Sequence, residues 1–123
     1  MKYLILIYSN PMSRDAWAGF SPEEQAEGLD MYAALDGALD SSGERLASER
    51  LGDPSLGKRV WVRDGQITTT DAPLAEVKEL LAGFYLVDCD TEDRAIEIAA
   101  GMPESFLGLI EVRPVMELRG PEW

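Results

Sequence analysis

The segment Thr70-Asp71-Ala72-Pro73-Leu74-Ala75-Glu76-Val77-Lys78-Glu79 gathers carboxylates, a lysine and a proline between two strand-like runs. Charged residues on a rigid turn at a strand end are well placed to bind or react. Asp71 could serve as a general base if burial raised its pKa. It could equally cap the turn before Pro73 or a helix after it, as Asp does routinely. Lys78 could neutralise a substrate carboxylate or, desolvated, act as a base. Glu76, a further substrate contact, and Glu79 could instead hold it in a solvated, salt-bridged turn. Arg113 stands in an apolar run just before Pro114. Burying a guanidinium there requires a carboxylate or an anionic ligand, and Asp71, Glu76 and Glu111 are the candidate partners. Tyr8 and Tyr32 could donate hydrogen bonds into a pocket between sheet and helix, or simply fill the core.

What is missing narrows the chemistry. The chain has no histidine, so it lacks the usual side chain that titrates near neutrality and the commonest transition-metal ligand. Proton transfer falls to Asp, Glu, Lys, Tyr or Cys, and a Ser-His or Cys-His pair cannot form within one chain. The single cysteine, Cys89, excludes an intrachain disulfide, and the charges of Asp88 and Asp90 beside it disfavour a thiolate. Glu23-Glu24 and Glu92-Asp93 read as helix N-terminal acids. Asp88, Asp90 and Glu92 lack the glycine and spacing of a calcium loop. Neither a metal site nor a cofactor is expected.

The net charge is −12, from 23 acidic and 11 basic residues. Such a surface repels phosphate backbones and anionic lipid, so nucleic acid and membrane are not expected partners. A hydrophobic content of 46%, with three Trp, four Tyr and three Phe, marks a folded chain rather than a disordered one. One domain over residues 1–123 is the expected organisation. The opening Met1-Lys2-Tyr3-Leu4-Ile5-Leu6-Ile7-Tyr8 is too short for a signal-peptide core, which points to the cytoplasm.

These groups need elements to position them. Tyr3 to Tyr8 predicts a buried, central first strand ended by Ser9-Asn10-Pro11, followed by a loop through Trp17 and Phe20. Ser21-Pro22-Glu23-Glu24 predicts a helix start with a capping box, running to about Ser42 and stopped by Gly43. Met31, Leu35, Ala38 and Leu39 form its expected apolar stripe, with Tyr32 adjacent. Arg45 to Leu51 predicts a half-exposed strand. Lys58 to Arg63 and Gln66 to Thr70 flank Asp64-Gly65, the pattern of a type I′ hairpin. Leu74 to Ala82 reads as a short helix or helical turn, and Gly83 to Asp88 as a strand. A helix then opens at Asp90-Thr91-Glu92-Asp93, with Ala95, Ile96, Ala99 and Ala100 toward the sheet and Gly101-Met102-Pro103 at its end. Leu109 to Leu118 closes the chain as a strand. This order predicts an α+β, ferredoxin-like split βαβ sandwich with an antiparallel sheet covered by helices on one face. Strands apolar on both faces leave an oily outer side, which a second copy would cover as a homodimer.

The motif segment, running into Gly83-Phe84-Tyr85, resembles the signature of YCII-related proteins that carry the DGPF motif. That motif reads Asp-Gly-Pro-Phe, then a Glu, a Lys-Glu pair and Gly-Tyr or Gly-Phe. The resemblance extends to Lys2-Tyr3-Leu4-Ile5-Leu6-Ile7-Tyr8, Tyr32, the Gly65 hairpin, Gly83-Phe84-Tyr85-Leu86-Val87 and the closing Glu111-Val112-Arg113-Pro114-Val115. It implies a dimeric α+β barrel, and fixes a fold more firmly than a function. Ala72 replaces the motif's Gly, the residue best suited to φ > 0, and Leu74 replaces its Phe. The founding branch resembles an acid/base enzyme with a His on the first helix. By spacing to Gly43 that His falls at Tyr32, so its His-Asp chemistry does not transfer.

The leading reading is a homodimeric protein that binds a small polar or anionic molecule by the motif turn. As an enzyme it would be a cofactor-independent isomerase or lyase, with Asp71 moving a proton and Lys78 or Arg113 holding the developing negative charge. The alternative is a non-catalytic binding or regulatory module, which the resemblance links to alternative sigma factors. A purely structural dimer is the third reading.

Overall fold

The computed structural model describes residues 1–74 and 76–118. The elements in chain order are β1 (Lys2–Ser9), α1 (Pro11–Gly19), α2 (Pro22–Ser42), β2 (Arg45–Arg50), β3 (Lys58–Arg63), β4 (Gln66–Asp71), β5 (Leu80–Asp88), α3 (Glu92–Ala100) and β6 (Ile110–Pro114). Short 3-10 turns at Pro54–Leu56 and Pro103–Leu107 punctuate them.

Four strands form one antiparallel sheet in the order β2-β5-β1-β6, and β3 and β4 form a separate two-stranded ribbon. With the ribbon set aside, β1-α2-β2 and β5-α3-β6 are two units, each split by a strand of the other. This is the ferredoxin-like α+β arrangement expected from the sequence. Tyr3, Ile5 and Ile7 alternate along β1 and meet Val87, Tyr85 and Gly83 of β5 in register. Leu39 of α2 and Ala95, Ile98 and Ala99 of α3 close over that face, with Met102 fully buried. The larger of these side chains, Leu39, Ile98 and Met102, each contribute about 1.5–3 kcal/mol on leaving water. Gly83 has a steric reason: an added Cβ would lie 2.9 Å from the Glu49 carbonyl oxygen of β2, so only glycine admits that approach.

Helix starts follow the sequence closely. The Ser21 side chain accepts from the Glu24 amide, and the Glu24 carboxylate accepts from the Ser21 amide, giving the expected capping box with Pro22 at the first helical position. Thr91 caps α3, and Gly43 ends α2 in the left-handed region. Asp64 and Gly65 both take positive φ, 51° and 75°, as a type I′ turn requires.

Five expectations need correction. The stretch through Trp17 is helical, because Asn10 caps it in a reciprocal box with Ser13, and Pro11 begins a helix here instead of ending a strand. Residues 74–82 form no helix among the described positions beyond a single turn, in which the Val77 amide donates to the Leu74 carbonyl at 3.1 Å; β5 starts at Leu80, its backbone claimed by β1 and β2. The last strand stops at Pro114, which cannot donate a ladder hydrogen bond. Met31 and Ala38 are exposed, and α2 turns Tyr32, Leu35, Asp36 and Leu39 inward. Likewise Ile98, not Ile96 or Ala100, faces the sheet from α3. On the sheet's outer face Leu6 is buried and Leu4, Phe84 and Leu86 are half-buried, between Ala47 and Glu49 on one side and Glu111 and Arg113 on the other.

Candidate functional site

The inward turn of Asp36 brings an acid to the seam between α2 and the sheet, where three other elements supply partners. Tyr85, from the middle of β5, donates its hydroxyl to Asp36. Arg45, at the start of β2, lies 3.7 Å from the same carboxylate, grips Asp40 through two hydrogen bonds of 2.8 and 2.6 Å, and donates to Ser48 at 2.7 Å. Tyr32 donates to Glu104, carried by the 3-10 turn after α3. The two phenol rings stack at 6.2 Å between centroids and 22° between planes. Tyr32, Asp36 and Glu104 remain half-buried, so solvent reaches part of each side chain.

Its electrostatics follow from burial and acid neighbours. Desolvation, reinforced by the hydrogen bond to Glu104, pushes the Tyr32 pKa well above its ordinary value. Desolvation and Asp36 do the same for Tyr85. Both phenols therefore stay protonated and act as donors. Arg45 holds Asp40 below the usual carboxylate range. A pair of neutral donors beside two carboxylates can hold a carbonyl or enolate oxygen while an acid receives a proton.

The residues singled out by the sequence fall into three places. Tyr32 is in the seam. Tyr8 and Arg113 lie on the opposite face of the sheet: the Tyr8 hydroxyl donates to Glu111 at 3.0 Å, and Arg113 lies 4.0 Å from that glutamate, one of its three expected partners. Arg113 is 67% exposed, so its charge needs no buried ligand. Asp71 ends β4, pairs with Lys58 across the ribbon, and is 80% exposed, without the burial that a general-base role calls for. Glu76 and Lys78 are exposed on the turn beyond it. Ala72 does not take positive φ; the Ala72-Pro73 peptide is cis. Cys89 is buried, and that burial, with Glu44 nearby, raises its thiol pKa.

Asp36, Tyr85, Glu104 and Arg45 were missed. The signal was present in the Tyr32-x-x-x-Asp36 spacing, which puts a phenol and an acid on one helix face. The expected stripe of Met31, Leu35, Ala38 and Leu39 leaves Asp36 out. Among the described residues no group of three or more acids or cysteines is arranged to hold a metal, and no helix is long and apolar enough to cross a membrane.

A family model described as the YCII-related domain matches residues 1–119. The chain belongs to the YCII-related family. An uncharacterized protein of Rhizobium meliloti is 30% identical over 117 residues, covering 94% of this chain and 92% of its own length. In fold, the chain is similar to the 5-chloro-2-hydroxyhydroquinone dehydrochlorinase of Burkholderia phenoliruptrix, solved in complex with 2,5-dihydroxybenzoquinone. The TM-score is 0.50 at 16% identity, over 95% of each chain.

Proposed function

We propose that this YCII-related domain, in the branch marked by the DGPF-like Asp71-Ala72-Pro73-Leu74, binds a small oxygen-bearing organic molecule at the seam between α2 and the sheet. The observation that carries this reading is the pair of stacked phenols, each kept protonated and each donating to a carboxylate from another element. A carbonyl or anionic oxygen of the ligand displaces Glu104 as the Tyr32 acceptor, and the released carboxylate becomes the proton acceptor. Cofactor-independent isomerisation or lyase chemistry is the reaction class this set serves. Position 32 is also where the resemblance places the founding branch's His, with a phenol donor in its stead.

We place the protein in the cytoplasm as a homodimer in which a second copy covers the outer sheet face. Tyr8 and Arg113, and the turn residues Asp71, Glu76 and Lys78, form a second candidate set that such a dimer would complete. The regulatory-module reading draws on the exposure of Asp71 and Lys78, which suits a contact surface better than a reaction centre.

The test is thermal unfolding against small carboxylates, lactones and hydroxylated ring compounds, since a ligand of the native state raises the midpoint by mass action. Hits should vanish in Tyr32→Phe, and persist both in Glu104→Gln, whose side chain the ligand displaces, and in Lys78→Met. Hits lost only in Lys78→Met or Arg113→Met would move the site to the turn and the outer face.

A further inference from the structure

A cavity of about 350 Å³ opens at the end of the sheet where β5 begins, and it shares no residue with the Tyr32-Tyr85 seam. Three segments wall it: the loop after β2 with its 3-10 turn, the Ala72-Pro73 turn, and the first residues of β5. Backbone bonds join them. The Leu51 amide donates to the Ala82 carbonyl at 2.9 Å, and the Ala72 amide to the Gly57 carbonyl at 3.1 Å. Gly57 lets that second pair close, since an added Cβ would lie 3.2 Å from the Pro54 carbonyl oxygen and 3.3 Å from the Ala72 Cβ. The lining is mostly hydrocarbon, from Leu51, Leu56, Pro73, Leu80 and Leu81, yet Leu51, Leu56 and Leu81 remain 40%, 75% and 39% exposed. Leucines that surround a concavity without filling it leave apolar surface for a guest to cover. An apolar cavity of about 150 Å³ already admits a benzene ring. This one therefore has room for a branched aliphatic or single-ring group and the polar atoms attached to it.

Two opposite charges stand at one corner of this cavity. Asp53 is part of the lining. Its Oδ1 accepts from the Ser55 hydroxyl at 2.7 Å and the Ser55 amide at 2.9 Å. Those two bonds, with a smaller contribution from the charge of Arg14, hold the Asp53 carboxyl below the usual carboxylate range. Arg14, half-buried on α1, donates from Nη1 to the Ser9 hydroxyl at 3.2 Å, and Ser9 donates to the carbonyl of Leu80 in the cavity wall at 3.5 Å. Among the described residues no carboxylate pairs with this guanidinium, Asp53 included, although the two charges sense each other. A dipolar group, an ammonium and a carboxylate on one carbon, satisfies both. An anion alone meets Asp53 as a like charge, and a cation alone meets Arg14 as one. We infer that this cavity binds a small apolar α-amino acid, its side chain among the leucines, its ammonium on Asp53 and its carboxylate on Arg14. The site stands apart from the seam and does not depend on any chemistry there.

The test is titration of the isotope-labelled chain, followed by its amide NMR signals, with L-leucine and L-phenylalanine. Two analogues of the latter serve as controls: phenethylamine, which lacks the carboxylate, and hydrocinnamate, which lacks the ammonium. Leucine or phenylalanine should move amides among residues 51–57, 72 and 80–81 and leave those around Tyr32 in place. Each analogue should bind about tenfold or more weakly than phenylalanine. Arg14→Gln and Asp53→Asn should each weaken amino-acid binding by a similar factor. Asparagine caps a turn as aspartate does, so the second variant keeps the 3-10 turn, and the spectrum of each variant checks its fold. The two variants should also split the analogues: Arg14→Gln leaves phenethylamine as tight or tighter, and Asp53→Asn does the same for hydrocinnamate. No shift with either amino acid, shifts centred on Tyr32, an analogue as tight as phenylalanine, or variants that bind like wild type would each overturn the site.

Discussion

The helix-sheet seam and the motif turn hold similar side chains under opposite conditions. At the seam, Asp36, Glu104, Tyr32 and Tyr85 come from α2, β5 and a 3-10 turn, are at least half-buried, and bond to one another. On the turn, Asp71, Glu76 and Lys78 are close in sequence and stand in solvent, with the Asp71 carboxylate paired to the exposed Lys58. Water screens the second set more than the first, whose groups are half-buried or better. Density of charge along a chain is thus a weaker guide to side chains that interact in the fold than convergence of elements.

Three substitutions sharpen the contrast, the largest effect first. Leu39 is 1% exposed and seats α2 on the sheet beside Asp36. Leu39→Ala should cost about 2–5 kcal/mol in denaturant unfolding, and a cost below about 1 kcal/mol would mean that the helix is held by something other than its apolar face. Next comes Glu44, whose carboxylate takes two 2.8 Å hydrogen bonds from Arg94 and one of 2.7 Å from Ser42. Arg94 chiefly, then Ser42, holds its pKa at about 2. Because the folded value lies below the unfolded one, near 4.3, this link stabilises fully above about pH 5 and is lost as pH falls toward 2. Glu44→Gln should cost about 1–2 kcal/mol at neutral pH and flatten the acid limb of a stability-pH curve. An unchanged acid limb would assign that region to other carboxylates. Smallest of all, Asp71→Asn should change stability by less than about 0.5 kcal/mol, and a cost several times larger would place Asp71 with the seam rather than apart from it.

Much of the scaffold was legible in the chain. The caps at Ser21 and Thr91, the stop at Gly43 and the Asp64-Gly65 turn are local chemistry, decided within a few residues. So was the split βαβ order, since apolar runs separated by capped helices leave few ways to close a sheet. The misses were of another kind. Asn10-Pro11 carries both a strand-ending and a helix-starting message, and the reciprocal bonds with Ser13 settle it. Leu74 to Ala82 has helical composition, but residues from Leu80 on are taken by two neighbouring strands, a contact no local window contains. The site was half legible. Tyr32 stood out as a phenol on a helix face, whereas Glu104 lies 72 residues away and reaches it only through the fold.

The register of β5 adds one more consequence. Tyr85 sits opposite Ile5 on one side and Ser48 on the other, which points its ring at α2. Side chains alternate along a strand, so a slip of one position would swing Phe84 or Leu86 inward and strand the Asp36 carboxylate against hydrocarbon. The oily runs of β1 and β5, apolar on both faces, tolerate such a slip far better than a patterned strand would. The phenol-carboxylate contact is then an alignment key beside Gly83: the two penalise a misaligned sheet whose hydrocarbon alone is nearly indifferent to it.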